Sequence, residues 1–311
     1  MKALVIGATG FIGKRLATRL VEQGHEVICA GRKLSCLGRI LSKVKPVYID
    51  IEDIRSVQDV LGKQKPDIVF HCAALVGNGP LKRLLKVNKD GSYNVFKACL
   101  DQGVKRAVYL SSIAVISGNS AAPLKDDMPY SFTNRYGCSK VEAEKAAFLY
   151  RQKGLKISII RPVMVYGENE PHLLRFICRL VKKRLIPVIG TGSARIQLVY
   201  IDNVVDVMVQ AIVNEKAYEG TYIVADKEVL TIAEFLEYTA KCLKAKPPLY
   251  LPGFLIAGLS FMPFIRHKVS YFTKDRLYSI DRIKEDLGYL PRVTTYDGLR
   301  RAVCSYENGQ A

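Results

Sequence analysis

The fold is decided by Leu4-Val5-Ile6-Gly7-Ala8-Thr9-Gly10-Phe11-Ile12-Gly13. A short apolar run ends in three glycines spaced Gly-x-x-Gly-x-x-Gly, and an amphipathic stretch bearing Lys14, Arg15 and Arg19 follows. Strand, tight turn and helix satisfy all three parts. Glycines at such a turn let a ligand approach the backbone, and the first N–H groups of the helix stay open to an anion such as a pyrophosphate. A glycine motif alone says little. Gly190-Thr191-Gly192 is also glycine-rich, yet no amphipathic helix follows it. Context separates the two, and Gly7, Thr9, Gly10, Phe11, Ile12 and Gly13 are read as a phosphate-binding turn rather than a turn without ligand.

Working outward, short apolar strands alternate with helical patterns, which is how a parallel sheet built from βαβ units is written. Strands are expected at 3–6, 26–30, 46–49, 67–72, 106–110 and 156–160, with helices at 12–23, 54–62, 81–102 and 132–152. Gly24, Gly103 and Gly154 stand where helix C-caps belong. Beyond Arg161-Pro162 the alternation fades into a helix at 172–183, strands at 198–200 and 221–224, and helices at 204–214 and 232–243. The expected fold is α/β: a Rossmann doubly wound parallel sheet with a smaller C-terminal substrate-binding lobe. Residues 1–165 would form the dinucleotide-binding domain, with 196–225 returning to it, and 166–195 plus 226–311 the lobe.

Composition narrows the functional classes. The 311 residues are 49% hydrophobic and 24% charged, ordinary for a globular chain, and show no internal repeat. Eight cysteines are scattered without a Cys-x-x-Cys pair, which reads as reduced thiols in a cytoplasmic protein with no metal site. The apolar start is better explained as a first strand than as a signal peptide, and no run is long enough to span a membrane. The formal charge of +18 fits a nucleic acid or an anionic membrane surface, or else a basic solvated surface serving a phosphorylated cofactor. Without an aromatic-and-basic nucleic-acid motif the last reading is preferred, and no nucleic-acid partner is expected.

Cofactor identity turns on the end of the second strand. An NAD site would place an acid there, on the adenosine ribose. Here Gly31 holds that place and Arg32-Lys33 follow. A guanidinium grips a ribose phosphate through two parallel hydrogen bonds, whereas an acid repels it. NADP is therefore expected over NAD. Asp50, with Ile51 beside it, is a candidate for the adenine amino group, and Ala73-Ala74 after the fourth strand lets a cofactor lie close to the backbone. His71 reads as a packed sheet residue rather than a catalyst.

Tyr136-Gly137-Cys138-Ser139-Lys140 sets a tyrosine and a lysine four apart, on one helix face. A phenol near pKa ~10 is a poor acid–base group at neutral pH. A neighbouring ammonium is expected to lower that value, so that Tyr136 exchanges a proton with an alcohol or ketone while Lys140 also anchors ribose hydroxyls. Tyr93-Asn94-Val95-Phe96-Lys97 has the same spacing but lacks a strand end in the right place. Tyr136 follows Val108-Tyr109-Leu110-Ser111-Ser112, whose carboxyl end should present a hydroxyl to the crevice. Ser112 is the first choice for holding the substrate oxygen and Ser111 the second.

Taken together, these residues resemble the extended short-chain dehydrogenase/reductase superfamily. The likeness rests on Gly7-x-x-Gly10-x-x-Gly13, His71-Cys72-Ala73-Ala74, Val87-Asn88 with Gly91, and Ser111-Ser112. It continues through Tyr136-x-x-x-Lys140, Arg161-Pro162 with Tyr166-Gly167, and Val199-Tyr200-Ile201-Asp202-Asn203-Val204. It implies a Rossmann domain, a Ser112-Tyr136-Lys140 catalytic set, cofactor contacts that include Pro162, and a homodimer. Tyr109 to Val115, Ile201 to Val204 and Leu287-Gly288-Tyr289-Leu290-Pro291 look closest to 3β-hydroxysteroid dehydrogenases and dihydroflavonol reductases. Nucleotide-sugar epimerases share the skeleton but commonly carry an arginine just before the Val-Tyr strand. Here Ile196 and Gln197 hold that place, with Arg195 displaced by about one residue.

The uncharged run 249–265, followed by Arg266-His267-Lys268, reads as lobe core, as the wall of an apolar pocket, or as a peripheral membrane contact. The leading expectation is an NADP-linked oxidoreductase acting on a secondary alcohol or ketone of a lipophilic small molecule. An epimerase or dehydratase recycling tightly bound NAD is the alternative; Asp126-Asp127 could serve dehydration there, but are read first as solvent-facing loop acids. An NADP sensor without chemistry has no need of the Tyr136–Lys140 pair.

Overall fold

Segments too apolar to face water on either side, with the more exposed segment 45–48 at one edge, pair into one seven-stranded sheet. Its strands are β1 (Lys2–Ile6), β2 (Glu26–Gly31), β3 (Lys45–Tyr48), β4 (Ile68–His71), β5 (Arg106–Leu110), β6 (Lys156–Pro162) and β10 (Thr221–Val224). The order is β10-β6-β5-β4-β1-β2-β3, every neighbouring pair parallel. The chain starts mid-sheet, runs to one edge through β2 and β3, then crosses back to β4. A crevice must open where the direction reverses, between β1 and β4. The computed structural model describes residues 1–77, 79–171, 173–252 and 274–309.

The period of two along β1 sorts the two faces. Ala3 and Val5 pack with Leu16 and Leu20 of α1 (Phe11–Glu22) and with Val204 and Met208 of α7 (Ile201–Val213). Leu4 and Ile6 pack on the other face with residues of three helices: Leu61 of α2 (Ile54–Gln64), Phe96 of α4 (Gly91–Asp101) and Ala147 of α5 (Arg135–Gln152). Burying each large apolar side chain contributes about 1.5–3 kcal/mol. A third core joins α6 (Leu173–Lys182), α8 (Ile232–Cys242) and α10 (Thr295–Asn308) to a small sheet. That sheet has the order β11-β9-β7, from Val229–Thr231, Arg195–Tyr200 and Met164–Tyr166, while β8 (Val188–Ile189) pairs with β12 (Tyr250–Leu251). A short helix, α9 (Asp281–Leu287), precedes α10.

Local chemistry fixes the ends. Gly24, Gly103 and Gly154 take φ of +77°, +71° and +94° just past α1, α4 and α5, as their spacing predicts. The helix expected from residue 132 begins instead at Arg135, because the Asn134 side chain accepts the Gly137 N–H at 2.8 Å and caps it there. The helix expected over 81–102 is α3 (Leu81–Leu84), a π-helical stretch Leu85–Asp90, and α4. This widened turn surrounds Asn88, which is buried and reaches both ways. Its side chain pairs with Leu75 N and O at 2.7 and 2.9 Å and donates to Ser139 Oγ at 2.9 Å. Ser139 in turn donates to Tyr136 O at 2.7 Å.

Most of the apolar 249–265 run lies outside the described residues, as do Arg266, His267 and Lys268; Leu249, Tyr250 and Leu251 are exposed. No helix among the described residues is long and apolar enough to cross a membrane.

Candidate active site

At the carboxyl ends of β1 to β4 a cleft of about 180 Å³ is lined by Gly7, Thr9, Gly10, Arg32, Asp50, Ile51, Ala73 and Ala74. Ile6, Gly31, Ile49, Glu52, Cys72 and Val87 complete the wall. The turn is built from backbone against backbone. Gly7 has φ +87°, and a Cβ there would lie 2.6 Å from Ala73 N; one on Gly13 would lie 2.2 Å from Gly7 O. Gly10 opens α1 with no side-chain cap and no acid in the first turn, which suits the helix N-terminus to an anion. Phe11 and Ile12 turn their side chains into the cores flanking α1 and stand outside the cleft lining. A Cβ on Gly31 would meet Thr9 Cγ2 and Oγ1 at 3.2 Å, tighter than ordinary van der Waals contact.

This cradle fits a dinucleotide: one methyl group on Gly7 or Gly13 would push into backbone, and Arg32 stands in its wall, with Arg83 and Lys86 reaching the Glu52 carboxylate beside it. Asp50 accepts the Glu52 N–H at 3.1 Å and keeps a carboxylate on the cleft wall. Glu52, two residues on, gathers the three cations. Arg83 holds it in a two-bond fork, with Nη2–Oε1 at 2.7 Å, and Arg32 and Lys86 lie at 3.6 and 3.7 Å. Sequence reasoning did not single out Glu52; its only signal is its place just past a strand end.

Farther along the sheet edge, Ser112 caps a 3₁₀ turn (Ile113–Val115) and its hydroxyl accepts the Ala114 N–H at 3.2 Å. It lies close enough to the Tyr136 phenol to favour the ionised form, against burial, which pushes that phenol up to about 12. Lys140 is buried, donates to Leu110 O at 2.7 Å and sits 4.3 Å from the centre of the Tyr109 ring. Burial lowers its amine to about 7, against the pull of Glu144 and Cys72. The expectation that Lys140 would depress the Tyr136 pKa is therefore corrected. Desolvation dominates both groups, and the lysine is turned toward β5. Cys72 links the two halves, lining the cleft and interacting electrostatically with Lys140. Pro162 lies buried at the end of β6.

Ser111 is not a second substrate holder in this arrangement. One step along the strand from Ser112, it is buried and donates to Glu144 Oε1. Glu144 is fully buried and also accepts Tyr130 Oη at 2.9 Å and Arg161 Nε and Nη2 at 2.9 and 2.6 Å. His71 is packed as expected: buried, stacked on Tyr109 at 5.4 Å and bonded to Ser92 at 2.9 Å, with burial lowering its pKa to about 3. Asp126 is not the solvent-facing acid expected. It is buried, its carboxylate accepts the Ile223 N–H, and desolvation raises it to about 6, while Asp127 is exposed. Arg195 is held by Asp275 through Nε and Nη2 at 3.0 and 2.6 Å. Tyr93 lies partly exposed on the surface of α4. The eight cysteines are free, and no cluster of metal-ligating side chains occurs among the described residues.

A family model for the NAD dependent epimerase/dehydratase family matches residues 3–225. The chain belongs to that family. A UDP-glucose 4-epimerase of Vibrio cholerae is 28% identical over 316 residues, 97% of this chain and 94% of that protein. A 3-beta-hydroxysteroid dehydrogenase of Mycolicibacterium neoaurum is 28% identical over 336 residues, covering 98% and 91%. The structure of a UDP-glucose 4-epimerase with UDP-glucose from Thermotoga maritima superposes with a TM-score of 0.83 at 22% identity, over all of both chains, and shares the fold. The extended short-chain superfamily and the Rossmann fold expected from the motifs are both borne out. As a member of the NAD-dependent epimerase/dehydratase family, the protein is an NAD(P)-dependent enzyme.

Proposed function

We propose that this family member is an NADP-linked oxidoreductase moving a hydride between nicotinamide and a secondary alcohol or ketone of a lipophilic, sterol-, flavonol- or acyl-like molecule. The observation that carries the reading is the gathering of Ser112, just past β5, with Tyr136 and Lys140 of α5 at the sheet's carboxyl edge, where burial favours the protonated phenol. A protonated phenol suits the reducing direction. Ser112 Oγ steadies the ketone oxygen, and Tyr136 Oη delivers its proton to that oxygen as the carbon is reduced; solvent then reprotonates the phenolate. NADPH, when bound, supplies the hydride. Lys140, fixed by Leu110 O, would hold ribose hydroxyls. Gly7, Thr9, Gly10, Gly13, Ala73 and Ala74 would receive the cofactor's phosphates and backbone-facing edge, Asp50 and Ile51 its adenine, and Arg32 its ribose phosphate.

In this reading 166–195 and 226–311 bind substrate, and the protein works as a cytoplasmic homodimer; the exposed Phe148 and Leu149 on α5 support a paired surface. The resemblance to a steroid dehydrogenase in name supports the lipophilic class. A nucleotide-sugar epimerase with retained NAD is the second reading, favoured by the Vibrio cholerae relative and weakened by the engagement of Arg195 with Asp275.

Calorimetry with NADPH and NADH, after checking the purified protein for retained dinucleotide, tests the two. Preferential, reversible NADPH binding with consumption of NADPH on ketone addition is expected. Tightly held NAD with no net cofactor consumption would replace the first reading by the second.

A further inference from the structure

Arg32 is the cation offered above for a ribose phosphate, yet a carboxylate lines the same cleft 3.6 Å away. Glu52 should be a strong competitor. Its side chain is only 12% exposed, so its charge is poorly screened, and an unpartnered carboxylate there would close on Arg32 and repel a phosphate. What prevents this is on the neighbouring helix. Arg83 of α3 takes both Glu52 oxygens in a fork, and Lys86, one turn on, adds a third cation at 3.7 Å. A fork of charge-assisted bonds outcompetes a single contact at 3.6 Å. The Arg32 guanidinium, 57% exposed, is thus left with its fork unspent.

We infer that Arg83 is a positioning residue for dinucleotide selectivity: by occupying Glu52 it keeps the Arg32 contact with that carboxylate loose enough to be exchanged for a ribose phosphate. The inference rests on the NADP reading. It adds a residue pair, 31 positions apart, whose effect on the cofactor is indirect.

The test is the ratio of NADPH to NADH dissociation constants, by calorimetry, for the wild type, R83A, E52Q, R83A/E52Q and R32A, with thermal unfolding of each. In the wild type NADPH binds the tighter of the two, and R32A removes the difference. R83A weakens NADPH about tenfold and NADH less than about twofold. E52Q leaves NADPH binding unchanged or tighter, and R83A/E52Q restores it to the wild-type value. Persisting weakness in R83A/E52Q would overturn the inference, since Arg83 would then act directly or through the fold. Unchanged NADPH binding in R83A would also overturn it, with the NADP reading intact. A wild type without NADPH preference would remove that reading, and the inference with it.

Discussion

The glycine turn and the Tyr136 end of the candidate site are built on different principles. At the β1–α1 turn everything that matters is backbone: Gly7 against Ala73, Gly13 against Gly7, with no room for a single carbon. At the Tyr136 end the shape is ordinary and the chemistry lies in burial, which raises a phenol to about 12 and lowers an amine to about 7. One end is a steric device and the other an electrostatic one. Variants at the first should therefore fail in binding, and variants at the second in turnover or in their response to pH.

The largest effect is expected at the electrostatic end. Tyr136→Phe keeps the ring and removes the proton donor, so turnover should fall about a thousandfold while NADPH affinity stays within about twofold of the wild type. If steady-state rates survive, the phenol is not the donor and the contrast collapses. Gly13→Ala comes next. Its Cβ cannot be accommodated by a side-chain rotation, and calorimetry should show NADPH affinity reduced about a hundredfold, together with a lower melting temperature. Near-normal binding in Gly13→Ala would mean that the turn yields, and that the end called steric is not.

The smallest effect sharpens the electrostatic half. Lys140 has a folded pKa of about 7, against an unfolded value near ~10.4. The native state resists the charged amine, so its penalty is full below pH about 7 and fades as pH rises toward the unfolded value. The melting temperature of the wild type should gain about 2–4 °C on Lys140→Met between pH 7 and 9. A constant difference between the two proteins across that interval would show that the amine is charged in the fold throughout.

The steric end was also the legible one. Apolar runs, glycines at fixed spacing and a following amphipathic helix act locally, so residues 1–23 announce strand, turn and helix by themselves. The electrostatic end depends on partners distant in sequence. Glu144 looks like any helix-surface acid until Arg161, 17 residues on, is seen to enclose it, and Asp126 looks like a loop acid until Ile223 N, 97 residues on, bonds it. Ser111 and Ser112 are neighbours at one strand end, and only their partners tell them apart: Glu144, 33 residues on, takes the first, and the second caps the turn that follows. The π-helical turn around Asn88 has no sequence signal at all, because its extra residue is accommodated by tertiary bonds to Leu75 and Ser139.

Those bonds act as a caliper. One amide spans from the loop after β4 to the helix that carries Tyr136, and both jaws close on backbone or on a short hydroxyl. In the proposed reaction the spacing between cofactor and proton donor is thereby tied to the parallel-sheet frame rather than to the lobe that would receive the substrate. A lineage could rebuild that lobe for a new molecule without recalibrating the reaction.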